Sequence, residues 1–292
     1  MAPFVPTLVS GLTVGLLYGL FALVVVVLYR ATGLINFAIG GLATISVFVV
    51  WELAGPRGWP MMVTILFAAT LAAVVGSLAY AATMMIQGGS DSGNRIMRTL
   101  ALLMLLQAVV QNRWGQGQPF TLKLAFLPSD LSVAGVRIPG GTLAAVLLAV
   151  AVVLGGVLVF DRTRLGLQFR AVADARDTAA LLGVRTRLVA GVAWAGASLV
   201  AFGAGLLAAP SLMVSTYMFD GLMLFVFTAV ICGGLTSLSG ALVVGVLVGV
   251  VSKVVGVYVG PEFAVLAVFA ALLVVLRFRP QGLFGRVAQE RL

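Results

Sequence analysis

Two short polar stretches interrupt apolar sequence and could contact a polar solute. Their members are glycine, amide and hydroxyl residues: Asn36, Gly40, Gly41 and Thr44 in the first stretch, and Gly233, Gly234, Ser237 and Ser239 in the second. Such groups are costly in lipid unless they face protein or a cavity, so they could line a transport path. Close helix packing by small residues is the alternative for the first stretch. An ordinary tight turn between two helices is the alternative for the second.

A charged stretch, residues 161–187, mixes Arg with Asp and could bind a partner protein. From Leu167 to Leu182 it contains good helix formers and neither Pro nor Gly. Gly166 precedes this segment, and Gly183 follows it as a glycine does at the end of a helix. We therefore predict one short helix with an apolar and a polar face. An ordinary positively charged loop is the alternative, but the mixed charge and the apolar face favour a docking helix.

Several kinds of chemistry lack their residues. The chain has no histidine and one cysteine, Cys232, so the commonest general base and metal ligand is missing and no disulfide framework can form. No carboxylate, His or Lys falls at the predicted middle of an apolar run, which argues against a proton-coupled carrier. No phosphate-binding glycine loop with Lys is present. We expect no enzyme and no bound cofactor or metal, and active transport would need energy from another subunit.

Composition dictates the environment of these stretches. The 292 residues are 62% hydrophobic and only 9% charged, whereas soluble domains are about 25% charged. Continuous apolar runs predict an all-α polytopic membrane bundle of about eight or nine transmembrane segments, with one or two broken helices. The predicted segments are Leu8–Tyr29, Leu34–Leu53, Met61–Ile86, Ile96–Val110, Leu143–Phe160, Leu188–Ala209, Leu222–Cys232, Ala241–Val257 and Phe263–Leu276.

The positive charges predict the orientation. The net charge is +9, but the cations lie between apolar runs, which indicates membrane topology and not a nucleic-acid partner. If the N-terminus is outside, most of the 18 Lys and Arg residues fall on the inner side. This predicts a cytoplasmic C-terminus and an odd number of crossings. Residues 112–141, which carry three prolines, are then an outer loop.

Five stretches in order along the chain resemble branched-chain amino acid ABC transporter permeases of the LivH type. They are Gly11–Leu23, Gly33–Ala38, Phe169–Val184, Gly233–Ala241 and Arg279–Gly285. The sequence departs from that family after Ala38, where Ile39, Gly40 and Gly41 replace polar and acidic residues. That departure allows a substrate other than leucine, isoleucine or valine.

The resemblance implies a single transmembrane permease domain, residues 1–292, with a cytoplasmic coupling loop at 161–187. It implies a multi-pass subunit of the bacterial inner membrane that imports branched-chain or other small amino acids. Its partners would be a second permease subunit, two cytoplasmic ATPase subunits that use the ATP, and an extracytoplasmic binding protein. The implied ATPase-coupling residues are Gly166, Arg170, Ala171, Ala179, Ala180, Leu182 and Gly183. A self-sufficient channel or secondary carrier for a small polar solute is the competing function.

Overall fold

A computed structural model describes residues 4–85, 92–115, 119–124, 127, 129–133 and 136–285. Within these residues the chain is almost entirely helical. The helices are α1 Phe4–Thr32, α2 Ile39–Ala54, α3 Met61–Tyr80, α4 Ser92–Trp114, α5 Gly140–Arg162, α6 Arg164–Asp174, α7 Arg176–Leu181, α8 Thr186–Leu212, α9 Asp220–Gly233, α10 Leu238–Tyr258 and α11 Pro261–Phe278. The predicted polytopic helical bundle is therefore confirmed.

Seven helices in the described part of the chain are long and apolar enough to cross a membrane. Two further apolar helices, α2 and α9, have 16 and 14 residues and are shorter than the roughly 20 residues that a full crossing needs. Together they match the nine predicted segments. The predicted segment Ile96–Val110 covers only the centre of the 23-residue helix α4, so this helix is longer than predicted. Helix α3 continues as a π-helical turn, Ala81–Met85, and the predicted end at Ile86 lies outside the described residues.

The predicted outer loop, residues 112–141, contains regular structure that the prolines did not indicate. Its first residues belong to α4, and a short antiparallel hairpin forms between β1, Leu131–Val133, and β2, Val136–Ile138. The Asp130 carboxylate accepts a hydrogen bond from the Gly140 N–H at 2.9 Å. This bond satisfies one free amide at the start of α5, so it fixes where that helix begins.

The chain divides into two compact units. The first comprises Met1–Val26, Leu127–Leu147 and Gly221–Leu292. In it, α10 packs against α11, and the backbone of α1 approaches that of α10. A Cβ atom added at Gly15 would lie 2.8 Å from the Cα of Val246, so only glycine permits this approach. Gly11 and Gly19, one turn away on either side, meet the α10 backbone in the same way, so these glycines allow close helix packing.

The second unit comprises Val27–Phe126 and Leu148–Asp220. Its centre is formed by α2, α3 and α8, which contact one another in every pairing, and α4 packs on α2. Helices α6 and α7 also belong to this unit and pack on α8. The predicted docking segment is thus attached to α8, one of the three helices at the centre of this unit.

Candidate functional site

The predicted docking segment consists of two helices, not one. Helix α6 begins at Arg164, where the Thr163 hydroxyl accepts a hydrogen bond from the Gly166 N–H at 3.1 Å. The single predicted helix from Leu167 to Leu182 is wrong, because the chain is extended at Ala175, between α6 and α7. Alanine does not break helices, so no local signal marks this break. The residues on both sides of Ala175 instead pack against a common apolar cluster.

That apolar cluster anchors the docking segment to the membrane helices. It contains Ala31, Phe169, Val172, Ala179 and Val189, which are all buried. The Phe169 ring also lies 4.7 Å from the Phe160 ring, centroid to centroid, and 5.9 Å from the Arg30 guanidinium. The cluster therefore joins α6 and α7 to the ends of α1 and α5 and to the start of α8.

Gly166 has a packing role that its position before a predicted helix did not reveal. It lies inside the first turn of α6 and is buried. A Cβ atom here would overlap the carbonyl oxygens of Val159 and Phe160 and would lie 2.5 Å from the Phe160 Cα. Only glycine therefore lets α6 pack this closely against the end of α5.

The remaining coupling candidates separate into supporting and exposed residues. Ala179 is buried and Ala171 is half-buried, so both support the segment. Exposed residues form its outer surface: Arg170, Ala180, Leu181, Leu182 and Gly183. Leu181 and Leu182 are 87% and 80% exposed, although both are apolar. We call these five residues the docking surface.

Gly183 follows α7, as the sequence predicted from the preference for glycine after the end of a helix. Gly183 has a φ of +84°, a conformation that favours glycine, and its N–H bonds the Ala180 carbonyl at 3.0 Å. The Arg170 guanidinium lies 3.5 Å from the Asp161 carboxylate, with both side chains about half exposed. Such a surface pair contributes about 0–1 kcal/mol, so Arg170 remains available to a partner.

An aromatic side chain links the docking segment to the membrane interior. The positive charge of Arg176, at the start of α7, lies near the hydroxyl of Tyr80, the last residue of α3. The Tyr80 ring in turn lies 6.1 Å from the ring of Trp194 on α8. Neither Tyr80 nor Trp194 stands out in the sequence, because aromatic residues in apolar runs are common.

Asn36 lies in the break between α1 and α2 and is only 1% exposed. Its Oδ1 accepts a hydrogen bond from the Ala38 N–H at 2.9 Å, whereas its Nδ2 has no partner. The other members of the first stretch lie on α2 itself. Gly41 packs against Leu106 of α4, and the Thr44 hydroxyl donates to the Gly40 carbonyl at 2.9 Å. Asn36 is therefore the member with a free hydrogen-bond donor.

The second stretch forms a tight turn that the C-terminal segment covers. Gly234 has a φ of +97°, and the Ser237 hydroxyl accepts from the Gly240 N–H at 3.0 Å and caps α10. The Leu283 N–H donates to the Cys232 carbonyl at 2.7 Å, so the chain after α11 lies on the end of α9. Gly233 is buried and Ser239 is exposed. A tight turn between two helices describes this geometry, and the pathway role of these residues stays a prediction.

Two buried side chains that sequence analysis missed resemble Asn36 in lacking a partner. Trp194 Nε1 and Ser198 Oγ have no hydrogen-bond partner, and the residues are 1% and 2% exposed. They lie one turn apart on the same face of α8. The sequence does show a hydroxyl and an indole at helical spacing in an apolar run. It does not show that both side chains are buried.

One carboxylate, on the side of the protein that is predicted to face outward, binds several partners. Glu52, in the last turn of α2, lies 2.6 Å from the Arg57 guanidinium and 2.9 Å from the Arg113 guanidinium. Its second oxygen accepts from the Trp114 indole N–H at 2.9 Å. This cluster joins the end of α2 to the end of α4.

Comparison with known proteins gives concordant results. The profile of the family described as "Branched-chain amino acid transport system / permease component" matches residues 7–276. The chain is 28% identical over 301 residues to BraD of Pseudomonas aeruginosa, a high-affinity branched-chain amino acid transport system permease protein, covering 99% of this chain and 98% of BraD. It is 31% identical over 130 residues to LivH of Escherichia coli, which has the same description, covering 44% of this chain and 42% of LivH.

A solved structure has a similar fold. PsaBC from Streptococcus pneumoniae in complex with Fab superimposes with a TM-score of 0.50 at 13% identity. The similarity covers 93% of this chain and 91% of that chain. At this identity the likeness concerns the arrangement of helices and not the substrate.

Proposed function

Because this chain belongs to the family of branched-chain amino acid transport permease components, we propose that it is the membrane-spanning subunit of an ATP-driven amino acid importer. Its substrates would be branched-chain or other small amino acids, as the descriptions of its relatives suggest. The ATP would be bound and hydrolysed by separate subunits, so this chain would carry no cofactor. A second permease subunit would complete the path, and an extracytoplasmic binding protein would deliver the substrate.

The observation that carries this proposal is the docking surface. Two leucines with 87% and 80% exposure are unusual in the polar connection between two membrane helices, and they follow a buried apolar anchor. Exposed apolar residues beside charged ones are typical of protein interfaces. An ATPase subunit would bind Ala180, Leu181 and Leu182, and Arg170 would add a charged contact.

Movement of the docking segment would reach the membrane interior through packed residues. The apolar cluster connects α6 and α7 to α8, and Arg176 and Tyr80 connect α7 to Trp194. ATP binding would change the separation of the ATPase subunits and shift this segment. Such coupling requires that the ATPases bind the inward- and outward-facing states with different affinity.

The distribution of positive charge supports an orientation with the N-terminus outside and the C-terminus in the cytoplasm. The docking segment would then face the cytoplasm, where ATPase subunits are found in bacterial inner-membrane importers. The single cysteine, Cys232, is buried, so a cysteine introduced at an exposed position would be the reactive thiol.

The proposal is tested with Leu182→Asp and a matched control, Leu182→Met, in the complete transporter. We expect Leu182→Asp to abolish co-purification of the ATPase subunits and substrate-stimulated ATP hydrolysis, because a carboxylate would replace an apolar contact. Leu182→Met keeps an apolar side chain of similar volume and should retain both. Full coupling in the Leu182→Asp transporter would refute the assignment of the docking surface.

Orientation has a separate test. A Leu182→Cys variant should react with a membrane-impermeant maleimide in inside-out vesicles and stay unmodified in intact cells whose outer membrane has been removed. The unmodified wild-type chain, whose only thiol is buried, is the control. Labelling from the outer side would overturn the cytoplasmic position of residues 161–187.

A further inference from the structure

One carboxylate of the second unit has a neutral partner where others have a cation. Asp220 is the first residue of α9, and the Gln107 side-chain nitrogen of α4 donates to both of its oxygens at 3.2 Å. In the described part of the chain no Lys or Arg lies within ion-pair distance of Asp220, whereas Glu52 lies against two guanidinium groups. A neutral amide does not cancel the charge of a carboxylate. Asp220 therefore keeps a negative charge that attracts cations.

Two glutamines of α4 hold the chain that leads to Asp220. Gln107 and Gln111 lie one turn apart, so they share a face of α4. The Gln111 side-chain oxygen accepts a hydrogen bond from the Thr216 hydroxyl at 2.9 Å, four residues before Asp220. All four residues belong to the second unit. The position of the Asp220 carboxylate beside Gln107 is therefore supported by a second contact between the same two segments.

The contact also fixes the orientation of the Gln107 amide. An ionised carboxylate only accepts hydrogen bonds, so the Gln107 nitrogen must face Asp220. The Gln107 oxygen then remains an acceptor, and no donor among the residues that the structure describes is bonded to it. The pair thus presents a charged acceptor and a neutral acceptor side by side. An ammonium group, which has three donors and no acceptor, matches this arrangement.

The pair lies below the end of a membrane helix and is nevertheless accessible. Gln107 precedes the end of α4 by seven residues, or about 10 Å along the helix axis. Asp220 is exposed and Gln107 is half-buried. Because a charge that faces lipid is costly, a carboxylate at such a depth faces the bundle interior or a water-filled cavity. Helix α4 is also the least apolar of the seven long helices in the described part of the chain, as a helix beside an aqueous path would be.

We propose that Asp220 and Gln107 bind the ammonium group of the transported amino acid in the outer half of the path. The inference rests on the proposed function, which supplies a substrate with an ammonium group. The Asp220 carboxylate would supply the charge, and the Gln107 oxygen would be the second acceptor. Since Gln107 already holds the carboxylate in place, little ordering of these side chains would oppose binding.

The experiment uses Asp220→Asn and Gln107→Leu in the complete transporter, reconstituted with its ATPases and binding protein in proteoliposomes. Asp220→Asn removes the charge and keeps an oxygen that can accept from Gln107. The matched control is Glu262→Gln, because Glu262 is an exposed carboxylate in the first turn of α11, as Asp220 is in the first turn of α9. A carboxylate that only stabilises the start of its helix would make the two variants alike.

We expect both site variants to lower uptake of labelled L-leucine about tenfold, the usual weight of a hydrogen bond to a charged group. Glu262→Gln should leave uptake unchanged. The thermal midpoint of purified Asp220→Asn should equal that of wild type, because Asp220 forms no ion pair with the described residues.

A binding assay identifies the group that is bound. It uses the purified permease with its ATPases and without the binding protein. L-leucine should raise the wild-type thermal midpoint, whereas 4-methylpentanoate, which is leucine without its ammonium group, should not. The rise should disappear in Asp220→Asn and remain in Glu262→Gln. Equal shifts by the two ligands in wild type would overturn the ammonium assignment.

The possible outcomes separate the site from the proposed function. Normal leucine uptake in Asp220→Asn would overturn the site alone. Uptake that falls together with the thermal midpoint, or that falls equally in Glu262→Gln, would also overturn it, because the carboxylate would then be structural. A wild-type transporter that imports none of leucine, isoleucine or valine would overturn the proposed function and the site with it.

Discussion

Replacement of Gly166 by alanine should separate the docking segment from the membrane helices that support it. The added Cβ would lie 2.5 Å from the Phe160 Cα, whereas carbon atoms in good contact are about 3.5–4.0 Å apart. The backbones of α5 and α6 would have to separate by about 1 Å. Overpacking of this kind costs about 1–3 kcal/mol, which exceeds the gain of up to about 1 kcal/mol from replacing glycine in a helix.

The consequence should be a weaker complex with the ATPase subunits. If binding restores the native position of α6, the cost of about 1–3 kcal/mol would be subtracted from the binding energy and would lower affinity roughly 5- to 150-fold. The assay is titration of the purified permease in nanodiscs with its ATPase subunits. Gly155→Ala is the control. Gly155 also lies on α5, but a Cβ atom added there would meet nothing within 4 Å. Equal affinity of both variants would refute the packing argument.

Three further changes test separate parts of the fold. Gly15→Val should lower the thermal midpoint strongly, because its side chain would meet the α10 backbone; Gly141→Ala, with open space around it, should not. Glu52→Gln should cost about 1–2 kcal/mol at low salt and less at high salt in denaturant titrations, because two guanidinium groups lose their carboxylate. Tyr80→Phe should reduce ATPase stimulation by substrate without weakening ATPase binding. Unchanged stimulation would exclude the Arg176 contact from coupling.

The sequence predicted the membrane helices well because the bilayer imposes their length and polarity. Every predicted apolar segment overlaps a helix, but the predicted segment Leu34–Leu53 begins too early, because α2 starts only at Ile39. The C-terminal end of the docking segment was also predictable, because Gly183 adopts the positive φ that glycine favours. The break at Ala175 was not predictable. The break depends on tertiary packing against Val189, and local helix propensity contains no information about such packing.

The site was predicted only where chemistry is visible in the residue type. Asn36 stood out because an amide is costly in an apolar run. Ser198 and Trp194 did not, because what distinguishes them is burial without a hydrogen-bond partner, which only the fold reveals. The same holds for Glu52, whose three partners lie in the loop after α2 and on α4.

One helix connects the docking segment to the unpaired donors. Val189 of α8 belongs to the apolar cluster under α6 and α7, and Ser198 lies nine residues further along, about 14 Å away. Protein interiors are densely packed, so a helix of this length moves as a body and does not compress. A shift of the docking segment would therefore reposition Trp194 and Ser198 relative to Asn36, which lies on a different element. Movement of α8 against α2 would then carry the coupling in this unit.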